Sequence, residues 1–296
     1  MKRIIILLAL AAGVASASVS SCTSAQAQQP LAWSVINTDS FKSDILKETV
    51  KFNVYLPVGY DASSEEKYPV IYLLHGLTDT YDAWATKGHM KDVVDELIAS
   101  GECRKVVIIM PNAGHPDCRK VLNGYFNQPG RNYEDFFFQE FLPAVEERYK
   151  IVGDKQHRAI MGLSMGGGGS TVYSQRHPDM FSSCYCMSGW LDEPYIDESE
   201  PRDMLYQERV SVHEHSALDY LANADEATLE QLRSVKWFFD CGDDDFLLDL
   251  TMKMHMLMRE KGVKSELRVR DGWHGWEYWH LALRLSLPFA SRNFGE

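Results

Sequence analysis

Short apolar runs recur along the 296-residue chain, and most of them stop at a glycine. They are YPVIYLLHG (68–76), KVVIIMPNAG (105–114), RAIMGLS (158–164), SSCYCMSG (182–189), VKWFFDCG (235–242) and SELRVRDG (265–272). Runs of this kind, bounded by turn residues, read as strands buried on both faces. Between them, AWATKGHMKDVVDELIAS, NYEDFFFQEFLPAVEERYK and FLLDLTMKMHMLMREKG place apolar residues three and four apart, the spacing of a helix with one face on a core. Strands alternating with helices predict an α/β fold, a mostly parallel central sheet with helices on both faces. KETVKFNVYLPVGYD instead alternates polar with apolar, which predicts an antiparallel strand at the sheet's edge, turned by PVGY. The longest interval between predicted strands, residues 191–234, starts polar and ends helical and reads as an insertion over the sheet's edge.

Composition narrows the picture. A 45% hydrophobic content over this length fills one large core, and a single domain is expected over residues 28–296. The formal net charge of −12 speaks against non-specific nucleic-acid binding, which needs a basic surface to displace counterions. At the N-terminus, Lys2 and Arg3 precede an apolar stretch and then small residues with Ala25 and Ala27 in A-x-A spacing, the pattern of a secretory signal peptide over residues 1–27. The stretch from Ile4 to Val14 is too short to cross a hydrocarbon core of ~30 Å. VSSC, ending at Cys22, resembles a bacterial lipoprotein box, so the exported protein is expected either free in the periplasm or lipid-anchored at the cell envelope. Five cysteines follow: Cys103, Cys118, Cys184, Cys186 and Cys241. Their number is odd and no C-x-x-C pair occurs, so neither a disulfide framework nor a zinc or redox motif is indicated.

Ligands of such sheets gather at the carboxyl ends of the strands, and there the chemistry is concentrated. In HRAIMGLSMGGGGSTVYSQRHP, a strand-like run leads through Gly162-Leu163-Ser164-Met165-Gly166 into a helical segment expected to end near Pro178. G-x-S-x-G at a sharp strand-to-helix turn suits a nucleophile held in a strained conformation, whose neighbours must lack side chains. The helix start also offers free N–H groups to an oxyanion. A serine hydroxyl needs a base, and the expected chain order is serine, acid, histidine. WFFDCGDDDFLL puts Asp243, Asp244 and Asp245 after one strand, and RVRDGWHGWEYW puts His274 after another. YLLHGLTDTYDAW supplies a second oxyanion amide at Leu77, with His75 read as a structural residue. Trp190 and Trp276 are candidates to line an acyl or aryl pocket, with core packing as the competing reading. The chain contains no P-loop, G-x-G-x-x-G or H-E-x-x-H, and no cofactor is expected. HEH at 213–215 reads as exposed histidines rather than a metal site.

Together, LLHGLTD, GYFNQPGRNYEDFFFQEFLPAVEERY, GLSMGG, CGDDDF and DGWHGWEYW resemble the esterase D and feruloyl esterase family of α/β-hydrolases. That family also includes acetylxylan esterases, S-formylglutathione hydrolases, tributyrin-type esterases and mycolyltransferases. The resemblance implies an α/β-hydrolase fold, with Ser164 as nucleophile, His274 as general base and acid, Asp245 as the residue orienting it, and Leu77 and Met165 as oxyanion amides. The implied activity is that of an exported serine carboxylesterase acting on acyl or hydroxycinnamoyl esters of plant polysaccharide fragments. Location argues against S-formylglutathione, a substrate of reducing compartments. Two other readings use the same scaffold: an acyltransferase to a sugar acceptor, and a non-catalytic carbohydrate-binding protein.

Overall fold

The computed structural model describes residues 30–295, so the expected signal peptide over 1–27 and Cys22 lie outside the described residues. One eight-stranded sheet is built of β1 (Val35–Lys42), β2 (Thr49–Leu56), β3 (Val70–Leu74), β4 (Val107–Met110), β5 (Arg158–Leu163), β6 (Ser183–Met187), β7 (Lys236–Gly242) and β8 (Ser265–Arg270), and all but β1 fall in the predicted runs. Their spatial order is β1-β2-β4-β3-β5-β6-β7-β8. β2 runs antiparallel to both β1 and β4, and every other neighbouring pair is parallel. Side chains alternate between two cores, so Val70, Tyr72 and Leu74 join one while Ile71 and Leu73 join the other. Helices cover both.

Three expectations are corrected. β2 is antiparallel but not at the edge, because β1 pairs outside it. VINTDSFK in β1 has no fully buried position, so its apolar signal was too weak to read as a strand. The segment around AWATKGHMKDVVDELIAS is two helices, Ala83–Thr86 and α1 (Met90–Ser100), separated at Gly88 and His89, whose φ of +46° breaks the helix. The 191–234 segment does not cover an edge. It is the crossover between the interior strands β6 and β7, and its helices pack on one face.

Longer helices elsewhere are α2 (Leu142–Arg148), α3 (Met165–Arg176), α4 (Met204–Glu214), α5 (Ala217–Ala222), α6 (Glu226–Arg233), α7 (Leu248–Glu260) and α8 (Trp276–Arg292). α2 is preceded by a π-helical turn, Phe136–Phe141, in which the Leu142 N–H reaches back to Phe137 O. Pro143, just after it, has no N–H to continue the ordinary ladder. Among the described residues no helix is long and apolar enough to cross a membrane. Cys103, Cys118, Cys184, Cys186 and Cys241 all carry free thiols.

Candidate active site

Ser164 stands between the end of β5 and the first turn of α3 with φ +53° and ψ −120°, a conformation that non-glycine residues rarely adopt. Main-chain bonds hold it there. Its N–H donates to Met187 O at 2.9 Å, and its carbonyl accepts from the N–H groups of Gly168 and Trp190, each at 3.0 Å. The glycines around it solve a packing problem. A Cβ on Gly166 would lie 2.5 Å from His75 O, and one on Gly168 would lie 2.2 Å from Trp190 O. The four-glycine run therefore lets the start of α3 lie directly on the backbone of its neighbours.

Two further strand ends bring partners to this serine. His274, four residues past β8, holds Nε2 at 3.0 Å from Ser164 Oγ. Its Nδ1 lies 2.9 and 3.0 Å from the two carboxylate oxygens of Asp245, three residues past β7. A carboxylate only accepts, so Nδ1 carries the proton and the Nε2 lone pair faces the serine hydroxyl. Burial pushes the Asp245 carboxyl up, but hydrogen bonds from His274 and the Leu247 N–H outweigh it and leave the group below the usual carboxylate range. Asp243 and Asp244 are both exposed, and Asp243 is occupied with the Gly272 N–H at 3.0 Å. Of the three aspartates, the structure brings only Asp245 to His274.

β3 exits directly over the serine, since a Cβ on Gly76 would come within 3.5 Å of Ser164 Cβ. His75 braces this corner. Its Nδ1–H donates to Gly76 O at 2.8 Å, while Nε2 accepts from the Ala113 N–H at 3.0 Å. Burial lowers its pKa to about 4, which keeps the ring neutral and fits the structural role expected of it. Among the described residues, the N–H groups of Leu77 and Met165 donate to no protein acceptor.

Trp190 is half-buried and donates from Nε1 to Glu193 at 3.1 Å, and Glu193 is paired with Arg209 at 2.9 Å. Trp276 is half-buried and packs edge-on against Trp84 and Trp279, with ring centroids 5.1 and 5.4 Å apart. Two aromatic residues outside the expected site touch the histidine. Exposed Phe246 lies 4.5 Å from the His274 ring and buried Trp279 lies 4.8 Å from it. Phe246 directly follows Asp245, so its place in the strand-end motif was the available signal. A cavity of about 640 Å³ between α3 and α4–α6 contains none of Ser164, Asp245 and His274. HEH lies along it, with His213 bonded to Glu193 O and His215 stacked on Phe126. Among the described residues no group of three or more His, Cys, Asp or Glu is placed to hold a metal ion.

Residues 43–290 match the family described as "Putative esterase". Over 140 residues, 46% of the chain, the sequence is 32% identical to an endo-1,4-beta-xylanase/feruloyl esterase of Xylanibacter ruminicola, of which the match covers 19%. The chain spans less than a third of the length of the first curated relatives it matches. Among solved structures, a ferulic acid esterase superposes with a TM-score of 0.85 at 48% identity, covering 89% of this chain and 99% of that one. A fluorophosphonate-binding serine hydrolase F of Staphylococcus aureus, at 19% identity and TM-score 0.72 over 88% of this chain and 99% of that one, shares the fold. The fold is that of the α/β-hydrolases, as the motifs imply.

Proposed function

We propose that this chain, which belongs to the esterase family, is a serine carboxylesterase that cleaves hydroxycinnamoyl and related acyl esters through an acyl-enzyme. The observation that carries the reading is the continuous line from Ser164 Oγ through His274 to the buried Asp245 carboxylate. His274 Nε2 takes the hydroxyl proton as Ser164 Oγ bonds to the ester carbonyl carbon. The carbonyl oxygen becomes an oxyanion held by the N–H groups of Leu77 and Met165. Collapse breaks the bond to the alkoxy oxygen, which leaves with the proton from His274. Water then enters by the same steps in reverse order and frees the acid and Ser164. Asp245 stays ionised throughout, fixing the tautomer and balancing the imidazolium.

The substrate reading rests on kinship and on aromatic surface. The 48% identical structure is described as a ferulic acid esterase, and the Xylanibacter relative joins xylanase with feruloyl esterase. Exposed Phe246 lies 4.5 Å from the His274 ring, exposed Trp273 precedes His274 in sequence, and the backbone of Trp190 lies against the start of α3. Flat rings at a site mouth suit a phenolic acid or a sugar face. Residues 28–296 form one catalytic domain in this reading, exported by residues 1–27 to act on plant polysaccharide fragments, free in the periplasm or anchored through Cys22. Kinetics on methyl ferulate, feruloylated arabinoxylan oligosaccharides, acetyl and butyryl aryl esters, and S-formylglutathione test it. Feruloyl esters should be turned over efficiently and the glutathione thioester poorly. Efficient thioester hydrolysis with no action on feruloyl esters would overturn the substrate assignment.

A further inference from the structure

The order of the sheet decides on which side of Ser164 a departing alcohol leaves. β5, which leads into Ser164, has β3 on one flank and β6, β7 and β8 on the other. The Leu77 N–H follows β3, whereas His274 follows β8 and places Nε2 3.0 Å from Ser164 Oγ. In the tetrahedral intermediate of the proposed reaction the oxyanion turns toward the β3 corner, and the alkoxy oxygen turns toward His274, which must protonate it. The alcohol part of the ester then rests on the surface around His274. Two turns build that surface. The Asp243 N–H donates to Arg270 O at 2.9 Å, the Asp244 N–H to Gly272 O at 3.0 Å and the Gly272 N–H to Asp243 Oδ1 at 3.0 Å, so the turn after β7 and the loop after β8 form one unit. Each turn contributes a large exposed ring. Phe246 is 75% exposed, with its ring centroid 4.5 Å from that of His274. Trp273 is 60% exposed, and a Cβ on Gly275 would fall 2.9 Å from its Cε2 and 3.0 Å from its Cζ2. The indole thus reaches from one chain neighbour of His274 to the other. Gly275 has φ −159°, which any residue adopts, so this glycine supplies room for the ring and not a special backbone angle.

The same unit carries exposed carboxylates at Asp244, Asp271 and Glu277, and Glu277 Oε2 would lie 3.1 Å from that Cβ on Gly275. Flat apolar faces beside carboxylate acceptors match a neutral sugar, whose C–H face covers a ring while its free hydroxyls donate to oxygen. An anionic alcohol or thiol, glutathione included, meets repulsion at such a rim. We propose that Phe246 and Trp273 form the leaving-group subsite of this esterase, selecting esters whose alcohol is a neutral sugar, with Glu277 accepting from its hydroxyls. This inference rests on the esterase and triad reading above, and it assigns the two rings to the alcohol and not to the phenolic acid.

The test measures kcat/KM of the purified protein on methyl ferulate, a feruloylated arabinoxylan oligosaccharide, ethyl acetate and the acetylated counterpart of that oligosaccharide. Within each acyl series, the ratio of the oligosaccharide ester to the simple ester holds the acid constant and does not depend on the fraction of folded enzyme. Phe246→Ala and Trp273→Ala should each lower that ratio by about 10-fold, the scale of one partly covered ring, and by the same factor in both series. Phe246→Tyr keeps the flat face and should restore it. A loss that follows the acid, present on both feruloyl esters and absent on both acetyl esters, would give the rings to the phenolic acid and overturn the inference. An equal loss on all four esters would reduce the rings to supports for His274 and also overturn it, as would wild-type ratios in both variants. A wild-type protein that cleaves acetyl but not feruloyl esters would remove the hydroxycinnamoyl reading alone, and the acetyl ratio would still decide this inference. Failure of the wild type to cleave any of the four would remove the esterase reading and this inference together.

Discussion

At the scale of single residues, the site divides into groups whose chemistry acts and groups whose main chain acts. Ser164→Ala should lower kcat by about 10⁶ while leaving the melting temperature near wild type, because the elbow is held by the main-chain bonds to Met187, Gly168 and Trp190. Steady-state kinetics beside a thermal melt check both halves. Asp245→Asn should cost about 10⁴ in kcat, since an amide in that place no longer fixes the Nδ1–H tautomer. Asp243→Asn and Asp244→Asn, at exposed positions, should stay within a few-fold of wild type, and a severe loss in either would refute the assignment of the acid. Leu77→Pro deletes the proposed oxyanion N–H and should be far slower than Leu77→Ala; a folded proline variant with full activity would exclude that amide. The serine and histidine were legible in the sequence because each ends a strand with chemistry that a packed turn does not require. The three consecutive aspartates were not separable by residue type, since what distinguishes them is burial. The family motif supplied the register, and Asp245 is the one of the three that is buried.

At the scale of elements, most strands and helices were readable from periodicity, and the misreadings have local causes. β1 was missed because an edge strand needs only a few apolar positions, and the break after Ala83–Thr86 was missed because His89, a non-glycine, adopts a left-handed angle there. The glycines opening α3 were read as relief for a strained serine, but they also admit neighbouring backbone. Gly168→Ala should therefore destabilise by about 1–3 kcal/mol, and a drop in melting temperature of several degrees in a thermal melt is the expected sign. α4 carries another buried feature, Glu208, which accepts from Gln128 Nε2 at 2.6 Å over Gly124. Burial raises its pKa to about 8, against hydrogen bonding from Gln128 and the charge of Arg131. The folded state therefore holds this proton at pH values where the unfolded chain has released it, so the contribution of Glu208 to stability declines as pH rises from about 4.5 to about 8. Glu208→Gln should remove that dependence. Melting temperatures across this pH range should show the variant gaining on wild type toward alkaline pH, and parallel curves would contradict the assignment.

At the scale of the whole molecule, an eight-stranded sheet covered on both faces brings the ends of β5, β7 and β8 to one site, and the fold class was legible because the alternation of strands and helices runs along the chain. What the alternation could not give was spatial order, since the exchange of β3 and β4 and the outward pairing of β1 come from long-range contacts. That order puts β8 at the open margin of the sheet, paired only with β7 and without a fully buried residue. The proposed nucleophile and acid are thus attached to interior strands, whereas the proposed base follows the margin strand. On warming, margins of this kind open at lower free energy than interiors. Heat should accordingly silence the enzyme in two stages, with turnover fading while circular dichroism still reports an intact sheet, and cooling from that interval should restore full activity within the dead time of an assay.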